Sequence, residues 1–126
     1  MEHPAFSVNQ SNPEAVLTKS VLRAAAQLGL NQAQLAQTLG YSRSHVSKLA
    51  NGTKCLSRGT HPYQFAALLV RVFRSLDAIV GGETQVLRTW MDSENKARNA
   101  RPIDLITQPQ GLLHVLSYLD ASRAKI

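Results

Sequence analysis

The run from Arg43 to Lys48 holds the side chains whose types and spacing are best suited to specific recognition. Arg43 carries a planar fork of N–H donors that matches the two acceptors on the edge of a guanine, and the Ser44 hydroxyl can bond to several kinds of base edge. If the run is helical, Ser47 and Lys48 face the same way one turn later, and His45 also points outward. These residues therefore predict hydrogen bonding to nucleic-acid bases.

Three further polar residues flank this run and could contact phosphate. Gln32 and Gln34 precede it, near the start of another short helix, where they could hold a phosphate or brace the first base-reading side chain. Lys54 follows it and, like Lys48, could contact the backbone of a nucleic acid. For every one of these residues the alternative interpretation is an exposed polar side chain without a partner.

Two short helices joined by a tight turn would position these side chains. Asn31 can cap the first helix, and Gln34 three residues later can complete a capping box. Gly40 can take the left-handed conformation that ends a helix, after which Ser42 can cap the second helix. The second helix would bury Val46 and Leu49 and end at Asn51-Gly52.

This helix pair resembles the DNA-binding motif of the Xre family, relatives of the lambda and Cro type repressors. The residues that carry the resemblance are Gln32, Ala36, Gly40, Val46, Leu49 and Asn51-Gly52. The resemblance implies a helix-turn-helix whose second helix lies in the major groove of DNA. The alternative is an ordinary pair of packed helices with a glycine between them, which any small helical protein can contain.

The positive charge of the chain is concentrated around the same motif. The formal net charge is +6, from 14 Lys and Arg against 8 Asp and Glu. No acidic residue occurs between positions 15 and 76, a segment that contains Lys19, Arg23, Arg43, Lys48, Lys54, Arg58, Arg71 and Arg74. A surface of this kind attracts phosphates without regard to base sequence, and the attraction weakens with salt.

The other reactive residue types argue against a metal centre and against an enzyme. Cys55 is the only cysteine, so no internal disulfide and no cysteine metal cluster can form, and the four histidines share no metal-ligand spacing. No phosphate-binding glycine loop or nucleophile elbow occurs. The nearest carboxylate pair, Asp92 and Glu94, falls in a polar segment that reads as solvated. We therefore predict no catalytic residues, no metal and no cofactor.

The sequence also predicts a cytoplasmic protein without a membrane attachment. No apolar run reaches the roughly 18 residues that suggest a membrane-spanning helix. The first residues are polar rather than typical of a signal peptide, and a single cysteine suits a reducing compartment.

The rest of the chain predicts further helices, so the expected fold class is all-α. Residues 1–11 lack periodicity and are assigned to a flexible arm. Asn12-Pro13-Glu14 is a helix start, and the helix that it opens ends at Gly29. After a basic loop over residues 53–62, Pro62 opens a fourth helix with the strongest apolar periodicity in the chain. That stripe consists of Phe65, Leu68, Leu69, Val72, Phe73, Leu76, Ile79 and Val80.

The last third of the chain contains three more predicted helices, the first two joined by a polar loop over residues 92–101. Thr84 can cap the first of them, Pro102 can begin the second and Pro109 the third, since proline suits the first turn of a helix. The expected apolar residues are Val86, Leu87, Trp90 and Met91 in the first, Ile103, Leu105 and Ile106 in the second, and Leu112, Leu113, Val115, Leu116 and Leu119 in the third.

Residues 63–123 resemble the toxin-binding domain of the Xre/MbcA/ParS antitoxin family. The resemblance rests on Trp90, Asn95, Pro102, Leu105, Ile106, Gly111, Val115 and Leu119. The chain departs from the family pattern where Asn99-Ala100-Arg101 stands in place of a Gly-Gly before the proline. The sequence therefore predicts an N-terminal Xre/Cro-like helix-turn-helix bundle at 12–62, followed by a helical dimerisation and toxin-binding domain at 63–126.

The resemblance implies the antitoxin of a type II toxin-antitoxin pair. Its toxin would be of the RES-domain class, which degrades NAD, and the antitoxin would neutralise it by covering its active site. The same protein would bind operator DNA as a homodimer and repress its own operon. Two alternatives stay open: a stand-alone helix-turn-helix transcriptional repressor whose C-terminal helices only dimerise, and a localisation adaptor like the ParS branch.

The end of the chain is the candidate toxin contact. Because the resemblance implies that the C-terminal region reaches toward the toxin's active site, we single out Tyr118, Ser122, Arg123 and Lys125. A frayed basic tail is the alternative. Trp90 is expected in the core rather than at the interface, with its neighbours touching the toxin.

Overall fold

The computed structural model of the chain describes residues 12–94 and 99–124, and over these residues it contains seven α-helices and no strand. The helices are α1 (Pro13–Leu28), α2 (Gln32–Leu39), α3 (Arg43–Ala50), α4 (His61–Val80), α5 (Thr84–Asp92), α6 (Pro102–Leu105) and α7 (Pro109–Ala124). This confirms the predicted all-α class. The arm predicted at 1–11 lies outside the described residues.

Side-chain caps set the first two helix starts where the sequence predicts them. The Asn12 side chain accepts the N–H of Glu14 at 3.0 Å and so caps α1. At α2 the side chains of Asn31 and Gln34 each accept the other's backbone N–H at 2.8 Å, which is the predicted capping box. Gly40 then ends α2 with a φ of +83°. The predicted helix pair with its tight turn is therefore confirmed.

The central helix is α4, which packs against α1, α2, α5 and α7. It begins at His61, one residue before the predicted Pro62, because the Thr60 hydroxyl accepts the N–H of Tyr63 and caps the helix there. The predicted stripe is buried or half-buried except at Ile79, which is 36% exposed in the last turn. The prediction missed three buried positions between the stripe residues: Ala66, Val70 and Ser75.

The fifth helix, α5, is held against the end of α1 by polar contacts. Its N-cap is Glu83 rather than the predicted Thr84, because the Thr84 hydroxyl donates instead to the side-chain oxygen of Gln27 at 3.2 Å. The Arg88 guanidinium donates to the backbone oxygens of Ala26 at 2.8 Å and Gln27 at 3.3 Å. No basic residue lies in the last turn of α1 itself. Arg88 therefore supplies the cation that a helix C-terminus favours, and it joins the two halves of the fold.

The short helix α6 and the start of α7 approach each other closely at Gly111. Pro102 and Pro109 begin the two helices as predicted. An ideal Cβ on Gly111 would lie 2.8 Å from the carbonyl carbon of Leu105 and closer still to its oxygen. No side chain fits at this position without a backbone shift, so a glycine is required for the two helices to pack.

Two residues that the periodicity assigns to the core lie at the surface instead. Val86 on α5 is 47% exposed and Leu113 on α7 is 51% exposed. Each lies beside a buried residue of the same helix, Leu87 and Leu112 respectively. Neighbouring residues on a helix point about 100° apart, and at these two positions the neighbour is the residue that faces the core.

Candidate DNA-binding and toxin-binding surfaces

The outer face of α3 presents the predicted base-reading side chains together. Ser42 caps the helix by accepting the His45 N–H at 3.1 Å, and Val46 and Leu49 are buried beneath it. This fixes which side of α3 faces outward. The exposed residues on that side are Arg43, Ser44, Ser47 and Lys48. The arrangement presents hydrogen-bond donors and positive charge along one surface, which can meet the base edges and phosphates of a duplex.

His45 does not face outward with these residues as the sequence predicts. Its ring is half-buried and stacks on Tyr41, with the ring centroids 3.8 Å apart and the planes inclined by 17°. Burial lowers the pKa of His45, and the positive charges of Lys54 and Lys48 lower this pKa further. His45 is therefore neutral and stacked at neutral pH. The sequence feature that could have predicted the stack is Tyr41, an aromatic residue four positions earlier.

The titration of His45 can be followed by NMR in the free protein. The midpoint is expected below the ordinary 6.5. In the Lys54→Gln variant the His45 midpoint is expected to rise, because the positive charge that disfavours protonated His45 is gone. In Arg71→Gln the midpoint should stay unchanged. Since the folded state favours neutral His45, its contribution to stability is complete above pH 6.5 and is lost as the pH falls through the folded pKa. A midpoint at or above 6.5 would contradict this assignment.

The glutamines predicted to contact phosphate sit at the start of α2 in different states. Gln32 is exposed and unobstructed at the first position of the helix. Gln34 is half-buried, and its side-chain oxygen is already used by the Asn31 N–H in the capping box. Only the amide NH2 of Gln34 remains to donate. At the start of α2, Gln32 can therefore contact phosphate with its whole amide group, whereas Gln34 serves mainly to cap the helix.

Lys54 lies beside the end of α3 because the chain turns back there. Gly52 has a φ of +83°, and the backbone N–H groups of Thr53 and Lys54 both donate to the Lys48 oxygen, at 2.9 and 3.1 Å. The Asn51 side chain also accepts the Thr53 N–H at 2.9 Å. The exposed Lys54 side chain is thus held close to the end of α3 and to Lys48 on its outer face.

A second surface, on α5 and α7, is apolar. Tyr118 is 52% exposed and stacks with Trp90, with ring centroids 6.2 Å apart. Trp90 is half-buried and packs against the core, as expected, but it also reaches the surface beside Tyr118. Val86 lies one turn before Trp90 on α5 and is also exposed. We refer to Val86, Trp90 and Tyr118 as the apolar strip.

The last turns of α7 carry the other predicted toxin contacts. The Ser122 hydroxyl donates to the Tyr118 backbone oxygen at 3.0 Å. The Arg123 guanidinium donates to the Ser75 hydroxyl on α4 at 3.1 Å, and Ser75 also donates to Asp120 at 3.3 Å. Up to Ala124 the chain end is therefore helical and anchored rather than frayed. Lys125 lies outside the described residues.

The Arg123 anchor belongs to a small polar cluster that sequence reasoning missed. Asp120 pairs with Arg71 at 3.2 Å and accepts the hydrogen bond from Ser75. The available signal was a serine, Ser75, in the midst of the apolar positions of α4, since a buried hydroxyl requires a partner.

Asp92 is exposed, as expected, but it lies at the end of a helix and not in the predicted polar loop. Asp92 ends α5 and pairs with Arg101, which also pairs with Asp104. These carboxylates, with Asp104 first, raise the pKa of Arg101. Asn95, part of the family resemblance, lies outside the described residues. Asn99 has a φ of +53°, a left-handed conformation that asparagine tolerates better than most residues.

Two kinds of feature are not found in the part of the chain that the structure describes. There, no three His, Cys, Asp or Glu side chains come together in a way that could hold a metal ion. Among the same residues, no helix has both the length and the apolar composition needed to cross a bilayer.

Comparison with known families identifies both halves of the chain. Residues 7–71 match the family model described as the antitoxin Xre-like helix-turn-helix domain. Residues 75–125 match the family model described as the antitoxin Xre/MbcA/ParS C-terminal toxin-binding domain. No curated protein matches the chain. Both matched families are regulatory rather than enzymatic, and the chain belongs to the Xre antitoxins, which join a helix-turn-helix domain to an Xre/MbcA/ParS toxin-binding domain.

Proposed function

We propose that this antitoxin neutralises a cognate toxin through its C-terminal helices and represses its own operon through α3. The observation that carries the proposal is that one chain exposes two unlike surfaces, the polar and basic face of α3 and the apolar strip on α5 and α7. The first suits base edges and phosphates, and the second suits a protein partner. The family resemblance supports a RES-domain toxin that degrades NAD, and a cytoplasmic location follows because operator DNA is there.

Repression of an operon requires a homodimer in this proposal. α3 has eight residues and can read one half-site, so specificity needs a second copy related by the symmetry of an inverted repeat. Exposed Ile79 and Leu113 offer apolar surface for that contact. We assign 12–62 to DNA binding and 63–126 to dimerisation and toxin binding, so that all but the first two residues of α4 fall in the second unit.

Toxin binding is assigned to the apolar strip and the end of α7. Aromatic and arginine side chains dominate the binding energy of many protein interfaces, and Tyr118 and Arg123 are of these types. Ser75 holds the Arg123 side chain in place, so less conformational freedom is lost when a partner binds. Ser122 and Lys125 complete the proposed contact.

Tyr118→Ala is expected to weaken toxin binding by about 2 kcal/mol, or roughly thirtyfold in Kd, as for a central aromatic contact. Folding should change little, because half of the Tyr118 side chain is already exposed. Calorimetry or interferometry with purified toxin measures the Kd. Val16→Ala, which shortens an exposed apolar side chain on α1, is the matched control and should bind as the natural protein does. Equal affinities for both variants would remove Tyr118 from the interface.

The proposed function is tested by expressing the gene adjacent to the antitoxin gene with and without the antitoxin. We expect the neighbour alone to arrest growth and deplete NAD, and the antitoxin to restore both. A reporter fused to the operon promoter should fall when the antitoxin is present. A neighbour that does not affect growth would contradict neutralisation, and an unchanged reporter would contradict repression.

Two other functions predict different outcomes of the same tests. A stand-alone transcriptional repressor would lower the reporter and purify as a stable dimer, while its neighbour would encode no toxin. A localisation adaptor like the ParS branch would bind a scaffold protein without operator binding. The exposed α3 face favours a DNA-binding role over the adaptor.

A further inference from the structure

A basic groove lies between α1 and the C-terminal end of α3. Its volume is about 520 Å³. Three of its lining side chains are cations, Lys19 and Arg23 from α1 and Lys54 from the loop after α3, and no lining residue is acidic. Leu22 and Leu49 form part of its apolar floor. The groove thus joins an apolar floor to three positively charged side chains.

The groove is built by hydrogen bonds that fasten the loop to both helices. The buried Thr18 hydroxyl on α1 accepts the Leu56 N–H at 3.0 Å, and the Lys54 N–H donates to the Lys48 oxygen of α3 at 3.1 Å. These two contacts lie on either side of Cys55. Lys54 is therefore kept next to the α1 cations rather than carried on a loose loop.

The three cations have no acidic partner within the described parts of the chain. The ion pairs found there join Arg71 to Asp120 and Arg101 to its two aspartates. The single acid of α1, Glu14, accepts the backbone N–H of Arg58 at 2.7 Å. The charges of Lys19, Arg23 and Lys54 are therefore available to a polyanion.

The groove lies against the C-terminal end of α3, since Ala50, its last residue, and Asn51 and Gly52, which follow it, line the groove. A duplex with α3 in its major groove, about 12 Å wide, has one phosphate backbone on each side of that helix. In the proposed function, Gln32 and Gln34 at the start of α2 would contact one of these backbones. We propose that this basic groove holds the second phosphate backbone of the operator, with Lys19 and Arg23 as phosphate contacts outside the helix-turn-helix.

This inference rests on the proposed DNA-binding function and adds α1 to the DNA-binding surface. DNA is favoured over an acidic protein segment because Lys54 lines the groove and is also held at the end of α3, where its backbone N–H donates to the Lys48 oxygen. Contacts of this kind carry no base information. They should set affinity and salt dependence, while α3 sets the preference for the operator.

The test compares Lys19→Gln/Arg23→Gln with the natural protein on operator and random duplexes over a range of salt. Each lost phosphate contact should lower the slope of log K against log salt by about 0.9, so the double variant should lower it by roughly 2. Affinity near 0.1 M salt should fall roughly ten- to hundredfold, equally on both duplexes. The single variants Lys19→Gln and Arg23→Gln should each lower the slope by about 0.9. Their matched control is Arg71→Gln, which also removes one charge, from α4, and should leave the slope unchanged.

Arg43→Ala, measured in parallel, separates this inference from the proposed function. If Arg43→Ala loses operator preference while the double variant keeps the natural slope, the groove assignment is overturned and operator binding stands. If no variant affects DNA binding, both are overturned. If the double variant weakens toxin capture and not DNA binding, the groove holds an acidic protein segment instead, which also overturns the inference.

Discussion

Gly111→Ala is expected to lower the free energy of unfolding by about 3 kcal/mol, at the upper end of what overpacking costs. The added Cβ would meet the Leu105 carbonyl group, which is backbone and cannot rotate away. The start of α7 or the end of α6 must then move. Leu112, next to Gly111, and Ile106, next to Leu105, are both buried, so such a movement would disturb the core of the toxin-binding domain.

Urea unfolding followed by circular dichroism measures the effect. Ser117→Ala is the matched control, because it makes a Cβ-only side chain at an exposed position of the same helix and should be neutral or slightly stabilising. The Gly111→Ala variant should also lose toxin binding, while each helix-turn-helix keeps its affinity for a single half-site. A variant as stable as the control would show that α6 and α7 are not in close contact at this point.

The sequence predicted the helix-turn-helix in detail because its signals are local. Asn31, Gln34, Gly40 and Ser42 act through hydrogen bonds and backbone conformation within a few residues, so their types and spacing suffice to locate α2 and α3. The inward positions of α3 followed from the helical period alone. This is why the exposed base-reading side chains could be selected before the fold was known.

The predictions were wrong where burial or hydrogen bonding depends on a neighbouring helix. Periodicity marks an apolar face but not how much of it another helix covers, which is why Ile79 and Leu113 are exposed. Thr84 fits a cap by type, yet its hydroxyl is drawn to Gln27, far away in the sequence. Gly111 matches the family pattern, but the pattern does not show why glycine is needed there. The reason is the close approach to Leu105, which only the folded structure shows.

The candidate toxin surface also combines features that the sequence predicted with contacts that it did not. Tyr118 was selected for its type and position, whereas its stacking partner Trp90 was assigned to the core. The single tryptophan is in fact both a core and a surface residue. The anchoring of Arg123 on Ser75 joins α7 to α4 across most of a domain, and no local pattern encodes such a contact.

Arg43→Ala is expected to weaken operator binding by about 1 to 3 kcal/mol per half-site, or about twice that for a dimer on both half-sites. Arg43 is exposed at the first turn of α3 and makes no ion pair within the described residues, so its guanidinium is free to form a paired contact with guanine. Binding to random DNA should change far less, because there the residue contributes only one charge among many.

Fluorescence anisotropy at fixed salt, on operator and random duplexes, measures the ratio of the two affinities. Arg43→Lys is the variant that distinguishes the two roles, since it keeps the positive charge and removes the planar guanidinium group with its paired N–H donors. If base recognition is the role of Arg43, Arg43→Lys loses operator preference nearly as far as Arg43→Ala while holding random DNA as the natural protein does. An equal loss on both duplexes for Arg43→Ala, restored by Arg43→Lys, would instead make Arg43 a phosphate contact and leave base recognition to Ser44, Ser47 and Lys48.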